Sequence, residues 1–524
     1  MGIVKLKKDG ITYVYESESY WDKEKKQPRS KRKLIGHIDP ETGEVVPNRK
    51  RSRSDEMYAR TITIGQSLLF DRVSESIGLD PALRSAFMKD ADKILTCAYY
   101  LLSEGNALGR CEQWSAGNLN PYGKRLGDQR IAELLKRLTP DSQKRFFRDW
   151  VKTISEEDNL AIDVTSISSY SDEIEAVRAG YNRDNENLEQ VNVALMVGSK
   201  TYRPAYYSIL PGNINDRSSL KRFLRTMEDM GFEGFKVVMD KGFCTVANID
   251  LMYEMKLKFT VSVVNNLNFT KDAVSEVKGS ITEFSNFRQV MGSEVYVKTS
   301  LKEWNGHRCY THVYYDETKK DNDKKRFMKR LLKCRTVPEE NGKLSERDVK
   351  FAEKYFIVKE TPKRGRSVIP NEDAIKEFRE KDAGYLVIIS NHEKDAVKAL
   401  EIYRCKETAE LSFDDLKNDQ GFGRMHIHSE EAMDGKAFIH FVALAINLEI
   451  KRTTYSHPEL KNRTEQEIID EMKLLRATKI KGRHSPLFTE LTSLQKKVIS
   501  AFGIPANFDI SMPDADEPEF EGED

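Results

Sequence analysis

The part of the 524-residue sequence that most constrains the fold and its chemistry is Tyr403-Arg-Cys-Lys-Glu-Thr-Ala-Glu-Leu-Ser-Phe-Asp-Asp-Leu-Lys417. Interpreted as one helix with about 3.6 residues per turn, it places Tyr403, Lys406, Glu410 and Lys417 along one side. A neighbouring apolar stripe predicts the buried face, and it consists of Ile402, Cys405, Ala409, Phe413 and Leu416. A carboxylate beside cations suits a metal site next to a phosphate. A helix carrying i,i+4 ion pairs fits the spacing equally well.

Composition leaves most function classes open. The 85 basic and 84 acidic residues nearly cancel, so charge has to be considered segment by segment. A hydrophobic content of 39% is enough for real cores, and the length allows two to four domains. The six cysteines form no C-x-x-C pair, which is typical of reduced cytosolic cysteines. No signal-peptide core and no apolar run of membrane-spanning length is present, so we expect a soluble intracellular protein.

The first 155 residues contain two modules that suit nucleic acid. Residues 1–60 alternate and turn like a small β-sheet, and basic runs at 23–33 and 49–53 flank its strands. The first run includes Lys31, Arg32 and Lys33, for which contact with a phosphate backbone and a solvated loop are equally plausible. Residues 61–155 then follow a helical period, which predicts a helical domain.

Two aspartates lie on predicted strands further along the chain. Asn159-Leu-Ala-Ile-Asp-Val-Thr-Ser-Ile167 is nearly continuously apolar with Asp163 at its middle, and Lys236-Val-Val-Met-Asp240 ends in Asp240. A carboxylate in a buried strand is costly unless a metal or a salt bridge pairs with it. Strand–helix–strand order with a carboxylate at a strand end predicts α/β architecture, in which sites gather at strand C-termini.

Several motifs together resemble one family. Five stretches resemble parts of the catalytic core of bacterial insertion-sequence DDE transposases. They are Ala161-Ile-Asp-Val-Thr-Ser166, Gly180-Tyr-Asn-Arg-Asp184, Gln190-Val-Asn-Val-Ala-Leu195, Leu210-Pro-Gly-Asn213 and Val238-Met-Asp-Lys-Gly-Phe243. Residues 403–417 resemble the family's Tyr-x2-Arg-x3-Glu-x6-Lys signature, with Lys406 where the family has arginine. This difference keeps the charge but loses the bidentate fork. The resemblance covers roughly residues 155–455.

The resemblance implies an α/β fold whose RNase-H-like mixed sheet core is interrupted by a mainly β insertion. Asp163 is expected on the first core strand, Asp240 after the fourth, and Glu410 on a later helix. A hairpin around Asn305-Gly306 supports strands in the insertion. The predicted domains are a basic β module (1–60), a helical domain (61–155), the first core part (156–265), the insertion (266–380), the second core part with the signature helix (381–455), and a helical region with an acidic disordered tail (456–524).

The implied function is DNA transposition. Asp163, Asp240 and Glu410 would hold two Mg²⁺ or Mn²⁺ ions, which in such sites lie about 4 Å apart. The implied partners are double-stranded DNA, namely the terminal inverted repeats of the element and its target, and a second copy of the chain in a synaptic dimer. We expect the bacterial cytoplasm, near the nucleoid, as the location. The candidate DNA contacts are Tyr403, Lys406, Lys417, Trp304, Lys324, Lys325, Arg326, Lys31, Arg32 and Lys33.

Some of these contacts and the activity itself have alternatives. Trp304 at the hairpin tip suits stacking on an unpaired base, although core packing is the commoner role of a tryptophan. The basic run 319–335, with nine Lys and Arg against two Asp, suits DNA phosphates. An RNase-H-like nuclease without strand transfer is one rival function. A catalytically silent DNA-binding remnant is the other, although it would not need to keep Asp163, Asp240 and Glu410.

Overall fold

The computed structural model describes most of the chain. The described residues are 2–8, 11–22, 27–39, 42–47, 59–105, 107–155, 157–171, 173–180, 182, 188–214, 216–232, 234–265, 267–336, 346–361, 365–378, 383–427, 429–480, 485–508, 510 and 512. The basic run at 49–53, most of the motif at 180–184 and the acidic tail at 514–524 lie outside the described residues.

The chain divides into two compact units. The first comprises residues 1–60, 478–487 and 510–524, and the second comprises residues 61–477 and 488–509. The first unit contains an antiparallel sheet whose strands lie side by side in chain order: β1 (Gly2–Lys8), β2 (Ile11–Asp22), β3 (Gln27–Ile38) and β4 (Val45–Pro47). The strands predicted around 11–15 and 33–38 are confirmed.

Short strands mark the points where the chain passes between the two units: β5 (Ala59–Thr63), β17 (Arg476–Ile480) and β18 (Leu487–Phe488). Six helices follow β5: α1 (Gly65–Ser76), α2 (Leu79–Phe87), α3 (Ala91–Glu104), α4 (Cys111–Gly117), α5 (Asp128–Arg137) and α6 (Pro140–Trp150). Each buries an apolar stripe, as the helical period of this segment predicts.

A nine-stranded mixed sheet forms the centre of the second unit. In chain order its strands are β6 (Asn159–Ser168), β7 (Gln190–Gly198), β8 (Pro204–Pro211), β9 (Lys236–Met239), β10 (Lys258–Ser262), β11 (Phe287–Val290), β12 (Ser293–Trp304), β13 (His307–Tyr315) and β16 (Tyr385–Ser390). Their spatial order is β11-β12-β13-β16-β10-β9-β6-β7-β8. Strands β6, β7 and β8 pair antiparallel, whereas β9 is parallel to both β6 and β10. The α/β class and the large mixed sheet are therefore as predicted.

Helices connect the core strands. They are α7 (Asp216–Asp229), α8 (Val246–Glu254) and α9 (Asn268–Val277), followed after the last strand by α13 (Ala396–Arg404) and α14 (Glu407–Asp414). Strand β7 is buried along its whole length and β6 at every position except Asp163. Cover on both faces explains why these strands are nearly continuous apolar runs in the sequence.

The strands predicted within the insertion at 266–380 extend the large sheet. Strand β13 pairs antiparallel with β16, and β12 and β11 follow outward from it. The predicted hairpin is confirmed, with Asn305 (φ 47°) and Gly306 (φ 83°) both in the left-handed region that a two-residue turn requires. The rest of the segment forms a small cluster around Phe327. Its elements are α10 (Glu317–Thr336), α11 (Glu346–Tyr355), β14 (Phe356–Thr361), β15 (Gly365–Pro370) and α12 (Glu372–Glu377).

The longest helix, α15 (Glu430–Ser456), contacts both the N-terminal helices and the sheet. Phe438 and Phe441 on this helix pack edge-on against Phe146 and Phe147 of α6. The segment predicted to be a buried core helix, 438–450, is buried throughout. Helices α16 (Glu465–Met472) and α17 (Ser493–Phe502) complete the described elements. Within the described ranges, no helix is long and apolar enough to cross a membrane.

Helix α15 passes α5 at Gly435, where a side chain would not fit. A Cβ atom there would lie 2.7 Å from the Leu135 Cα and closer still to its carbonyl oxygen. We expect Gly435→Ala to lower the free energy of unfolding by about 1–3 kcal/mol, the usual cost of overpacking. Urea denaturation measures this loss. Gly279→Ala is the control, since no atom lies within 4 Å of its added Cβ, and equal stability of the two variants would contradict the close approach.

Candidate active site

The two aspartates stand side by side because β6 and β9 run parallel. Ile162 of β6 pairs with Met239 of β9. Asp163 is the next residue of β6, and Asp240 is the residue directly after β9. Neighbouring strands lie about 4.8 Å apart, so the register brings both carboxylates to one point at the end of the parallel ladder. Asp163 is half-buried, and its Oδ1 accepts a hydrogen bond from the Val164 amide at 2.8 Å.

Asp240 directly follows β9 and precedes a single 3₁₀ turn, Lys241–Phe243. Its Oδ1 accepts a hydrogen bond from the Tyr403 hydroxyl at 2.8 Å. This bond links the C-terminal end of β9 to the 403–417 segment. It fixes the position of one carboxylate oxygen from the protein side.

Tyr403 is buried, with only 9% of its surface exposed, and packs among apolar residues such as Val238 and Ile388. Burial raises the pKa of Tyr403 above its ordinary value, and the negative charge of Asp240 raises it further, while a hydrogen bond with Ser262 opposes the rise. The phenol therefore remains protonated and donates to Asp240. Its position is poorly suited to the DNA contact that we predicted for it.

The predicted continuous helix over 403–417 is wrong in one respect: it is broken at Cys405 and Lys406. Tyr403 lies in α13 and Glu410 in α14. Around the break, the Lys406 amide bonds the Tyr403 carbonyl and the Ala409 amide bonds the Lys406 carbonyl, which are i→i−3 bonds that tighten the turn. Lys417 then lies in a π-helical turn, Asp415–Asp419.

Lys406 forms an ion pair with Glu410. Its Nζ donates to Glu410 Oε1 at 2.6 Å and lies 5.7 Å from the centre of the Tyr403 ring. Burial would lower the pKa of Lys406, but the hydrogen bond to Glu410 and the charges of Asp240, Glu410 and Asp163 outweigh burial and raise it. Lys406 thus contacts Glu410 directly, and the charges of Asp240 and Asp163 act on it from further away.

The donor set suits a hard divalent cation. Three carboxylates supply the oxygen ligands that Mg²⁺ prefers, and one of them, Glu410, already pairs with a positive charge, the Lys406 ammonium. Among the described residues, however, no three His, Cys, Asp or Glu side chains are close enough to hold a metal ion. The carboxylates therefore fit a metal in kind but not in their present spacing, and a bound ion would have to replace Lys406 as the partner of Glu410.

Lys417 lies near this group along the chain but belongs to a different turn. It is half-buried, and its carbonyl accepts a hydrogen bond from the Gly423 amide at 3.3 Å. The same turn is tied to α15, since Lys451 Nζ donates to Asp415 Oδ1 at 2.7 Å and lies 3.2 Å from Glu465 Oε1. This buried ion network was not predicted from the sequence, because its partners are far apart in the chain.

Trp304 is part of the core. Only 5% of its surface is exposed, and its ring packs edge-on against Phe269 with centroids 4.8 Å apart. The structure therefore favours the packing alternative for Trp304 over stacking on an unpaired base.

The basic residues outside the catalytic sheet lie on surfaces. On α10, Lys325 and Arg326 are exposed and Lys324 is half-exposed. Other cations of this helix have acidic partners, as Arg330 and Lys333 both have in Asp348. In the first unit, β3 carries Lys31, Arg32 and Lys33, all exposed.

Ser262 is a site residue that the sequence reasoning missed. It ends β10, the strand beside β9, and its hydroxyl opposes the rise in the pKa of Tyr403. The only sequence signal for it is its position at the end of a predicted core strand, where sites collect.

Comparison with known proteins gives three findings. A family model described as the transposase DDE domain matches residues 154–448, and no curated protein matches the chain. Among solved structures, a cryo-EM synaptic complex of the piggyBac transposase with hairpin DNA is similar, at 10% identity and a TM-score of 0.37, over 86% of this chain and 85% of that one. A TM-score of that size carries no weight for the fold or the function.

The Tyr403–Asp240 hydrogen bond leads to a prediction. A hydrogen bond to a charged group contributes about 1.5–3 kcal/mol, so we expect Tyr403→Phe to slow any DNA cleavage that depends on Asp240 roughly ten- to a hundredfold. Single-turnover cleavage measures the rate, and affinity for DNA should stay the same because Tyr403 is buried.

The matched control is Tyr314→Phe. Tyr314 belongs to the same apolar cluster, but its hydroxyl donates to the Ala396 carbonyl at 2.6 Å and not to a carboxylate. Its loss should lower stability without slowing cleavage by a comparable factor. Weaker DNA binding by Tyr403→Phe, with an unchanged cleavage rate, would contradict the positioning role.

Proposed function

The chain belongs to the DDE-domain transposase family, and we propose that it binds the ends of a bacterial insertion sequence, cuts them and joins them to target DNA. The observations that carry this proposal are the parallel register that sets Asp163 beside Asp240 and the Tyr403–Asp240 hydrogen bond that links them to the segment bearing Glu410. Asp163, Asp240 and Glu410 are the three carboxylates that the Tyr-Arg-Glu-Lys signature subgroup implies for the site.

The strand arrangement supports an RNase-H-like core. Counted along the chain from β6, the first five core strands lie in the spatial order three-two-one-four-five. Asp163 lies on the first of these strands and Asp240 directly after the fourth. The resemblance implies these same positions for the two aspartates.

Asp163, Asp240 and Glu410 are the proposed metal ligands for two Mg²⁺ or Mn²⁺ ions. When bound, such ions activate an attacking oxygen and stabilise the leaving oxygen of a phosphoryl displacement. The proposed reaction has two steps. Hydrolysis at the element's end breaks the bond between phosphorus and a 3′ oxygen, and the 3′-hydroxyl so formed then displaces a 3′ oxygen in the target.

The protein's own groups have distinct proposed roles. Tyr403 holds Asp240 from the protein side, so that the carboxylate does not have to be ordered at the moment of reaction. Lys406 offsets the mutual repulsion of the carboxylates and can turn to a DNA phosphate when a metal takes its place beside Glu410. Lys417 and the exposed cations of α10 are proposed as further phosphate contacts.

Duplex DNA, comprising the element's ends and the target, is the proposed partner, and a dimer is the proposed state of the synaptic complex. The proposed location is the bacterial cytoplasm. The rival function is an RNase-H-like nuclease that cuts without joining, and it predicts cleaved ends but no joined product. A silent DNA-binding remnant predicts binding alone.

The first experiment incubates the full chain with Mg²⁺ or Mn²⁺ and duplex DNA that carries the element's ends. We expect breaks at the end boundary and joined products. Asp163→Asn and Glu410→Gln should abolish both while still binding the DNA. The matched control is Glu407→Gln, which removes an exposed charge from the same helix as Glu410 and should retain activity. Cleavage that persists in Asp163→Asn would contradict the assignment.

The position of Lys406 leads to a second prediction. Because its ammonium pairs with Glu410 where a metal would bind, Lys406→Met should strengthen Mn²⁺ binding to the DNA-free protein severalfold. Calorimetric titration with Mn²⁺ measures the affinity directly. The control is Lys398→Met, which removes a charge from α13 with no part in the site. Weaker Mn²⁺ binding in Lys406→Met would contradict the idea that ammonium and metal compete.

A further inference from the structure

Strands β2 and β3 form a ribbon that extends past the rest of their sheet. Each is 12 residues long, and they pair from Thr12 with Ile38 to Asp22 with Gln27. Strand β1 pairs only with residues 11–17 of β2, and β4 only with residues 36–38 of β3. In the described part of the chain, residues 18–22 and 27–31 therefore pair with each other alone.

The register divides the exposed ribbon into two unlike faces, because side chains alternate along a strand and directly paired residues share a face. What we term the serine face consists of the pairs Ser17–Arg32, Ser19–Ser30 and Trp21–Pro28. What we term the glutamate face consists of the pairs Glu16–Lys33, Glu18–Lys31 and Tyr20–Arg29. The consecutive cations Lys31, Arg32 and Lys33 thus do not point the same way.

The two faces offer different surfaces to a polyanion. On the glutamate face, Lys31 and Lys33 each stand opposite a glutamate, so an approaching phosphate meets both signs of charge. The serine face has no acidic residue: it offers a guanidinium and three hydroxyls, all groups that contact phosphate oxygens in protein–DNA complexes. Trp21 at its outer end is 62% exposed and can cover sugar or base surface.

We propose that the serine face is the surface through which the first unit holds duplex DNA, with Arg32 on a backbone phosphate and the glutamate face turned away. The inference rests on the proposed function, since it assumes that the chain binds DNA. A two-stranded ribbon has the dimensions that a major groove admits. Of the three predicted contacts Lys31, Arg32 and Lys33, only Arg32 then binds a phosphate.

The test compares substitutions that remove the same charge from opposite faces. Fluorescence anisotropy with a labelled duplex of the element's end gives the affinity of the full chain over a series of NaCl concentrations. Arg32→Ala should lower affinity and reduce the slope of log K against log salt by about 0.9, the loss of one phosphate contact. Lys31→Ala and Lys33→Ala should change the slope by less than a third as much.

A second pair of variants adds a negative charge at two neighbouring positions, one on each face. Ser19→Glu puts a carboxylate on the serine face and should weaken binding strongly, whereas Tyr20→Glu puts one on the glutamate face and should weaken it little. Both residues are exposed, so neither change disturbs a core, and circular dichroism checks the fold of each variant.

The outcomes separate this inference from the proposed function. Equal slopes for Arg32→Ala and Lys31→Ala would show that net charge and not the face governs binding, and would overturn the inference. An unchanged slope in Arg32→Ala, with wild-type protein still binding and cutting, would overturn it as well. Failure of the wild-type chain to bind DNA would instead overturn the proposed function on which the inference rests.

Discussion

The parallel pairing of β6 with β9 is the constraint on which the rest of the candidate site depends. It sets Asp163 beside Asp240 through main-chain hydrogen bonds alone. A slip of one residue would turn Asp163 to the opposite face of the sheet. Buried apolar neighbours on both strands fix the register, because any other alignment would move them out of the core. Packing in the sheet thus determines where Asp163 and Asp240 lie relative to each other.

Charge balance is the second constraint. Carboxylates gathered at a partly buried point repel one another unless a cation is present, and Lys406 supplies one that interacts with all three. An ammonium is a compact charge on a flexible stem, whereas a guanidinium is a rigid planar fork. Lysine at this position can therefore leave Glu410 without breaking a two-point contact.

The sequence predicted what depends on local pattern and motif. The strands bearing Asp163 and Asp240, the hairpin at Asn305-Gly306 and the buried helix at 438–450 were all correct. It did not reach what long-range pairing decides. The pairing of β13 with β16 adds the strands predicted within the insertion to the main sheet, and contact with Phe269 buries Trp304, in line with the packing alternative for that residue. The division of Arg32 from Lys31 and Lys33 likewise needs a strand register, which a run of basic residues does not reveal.

The break at Cys405 and Lys406 explains how two residues only seven positions apart, Tyr403 and Glu410, lie in the buried core and at the solvent-exposed surface respectively. In a continuous helix Tyr403 and Glu410 would be seven residues, or about two turns, apart on the same side. The tightened turn lets them diverge: Tyr403 enters the apolar cluster and reaches Asp240 from inside, while the Glu410 side chain is 53% exposed. Asp240 is thereby held by a buried residue, whereas Glu410 is accessible from solvent.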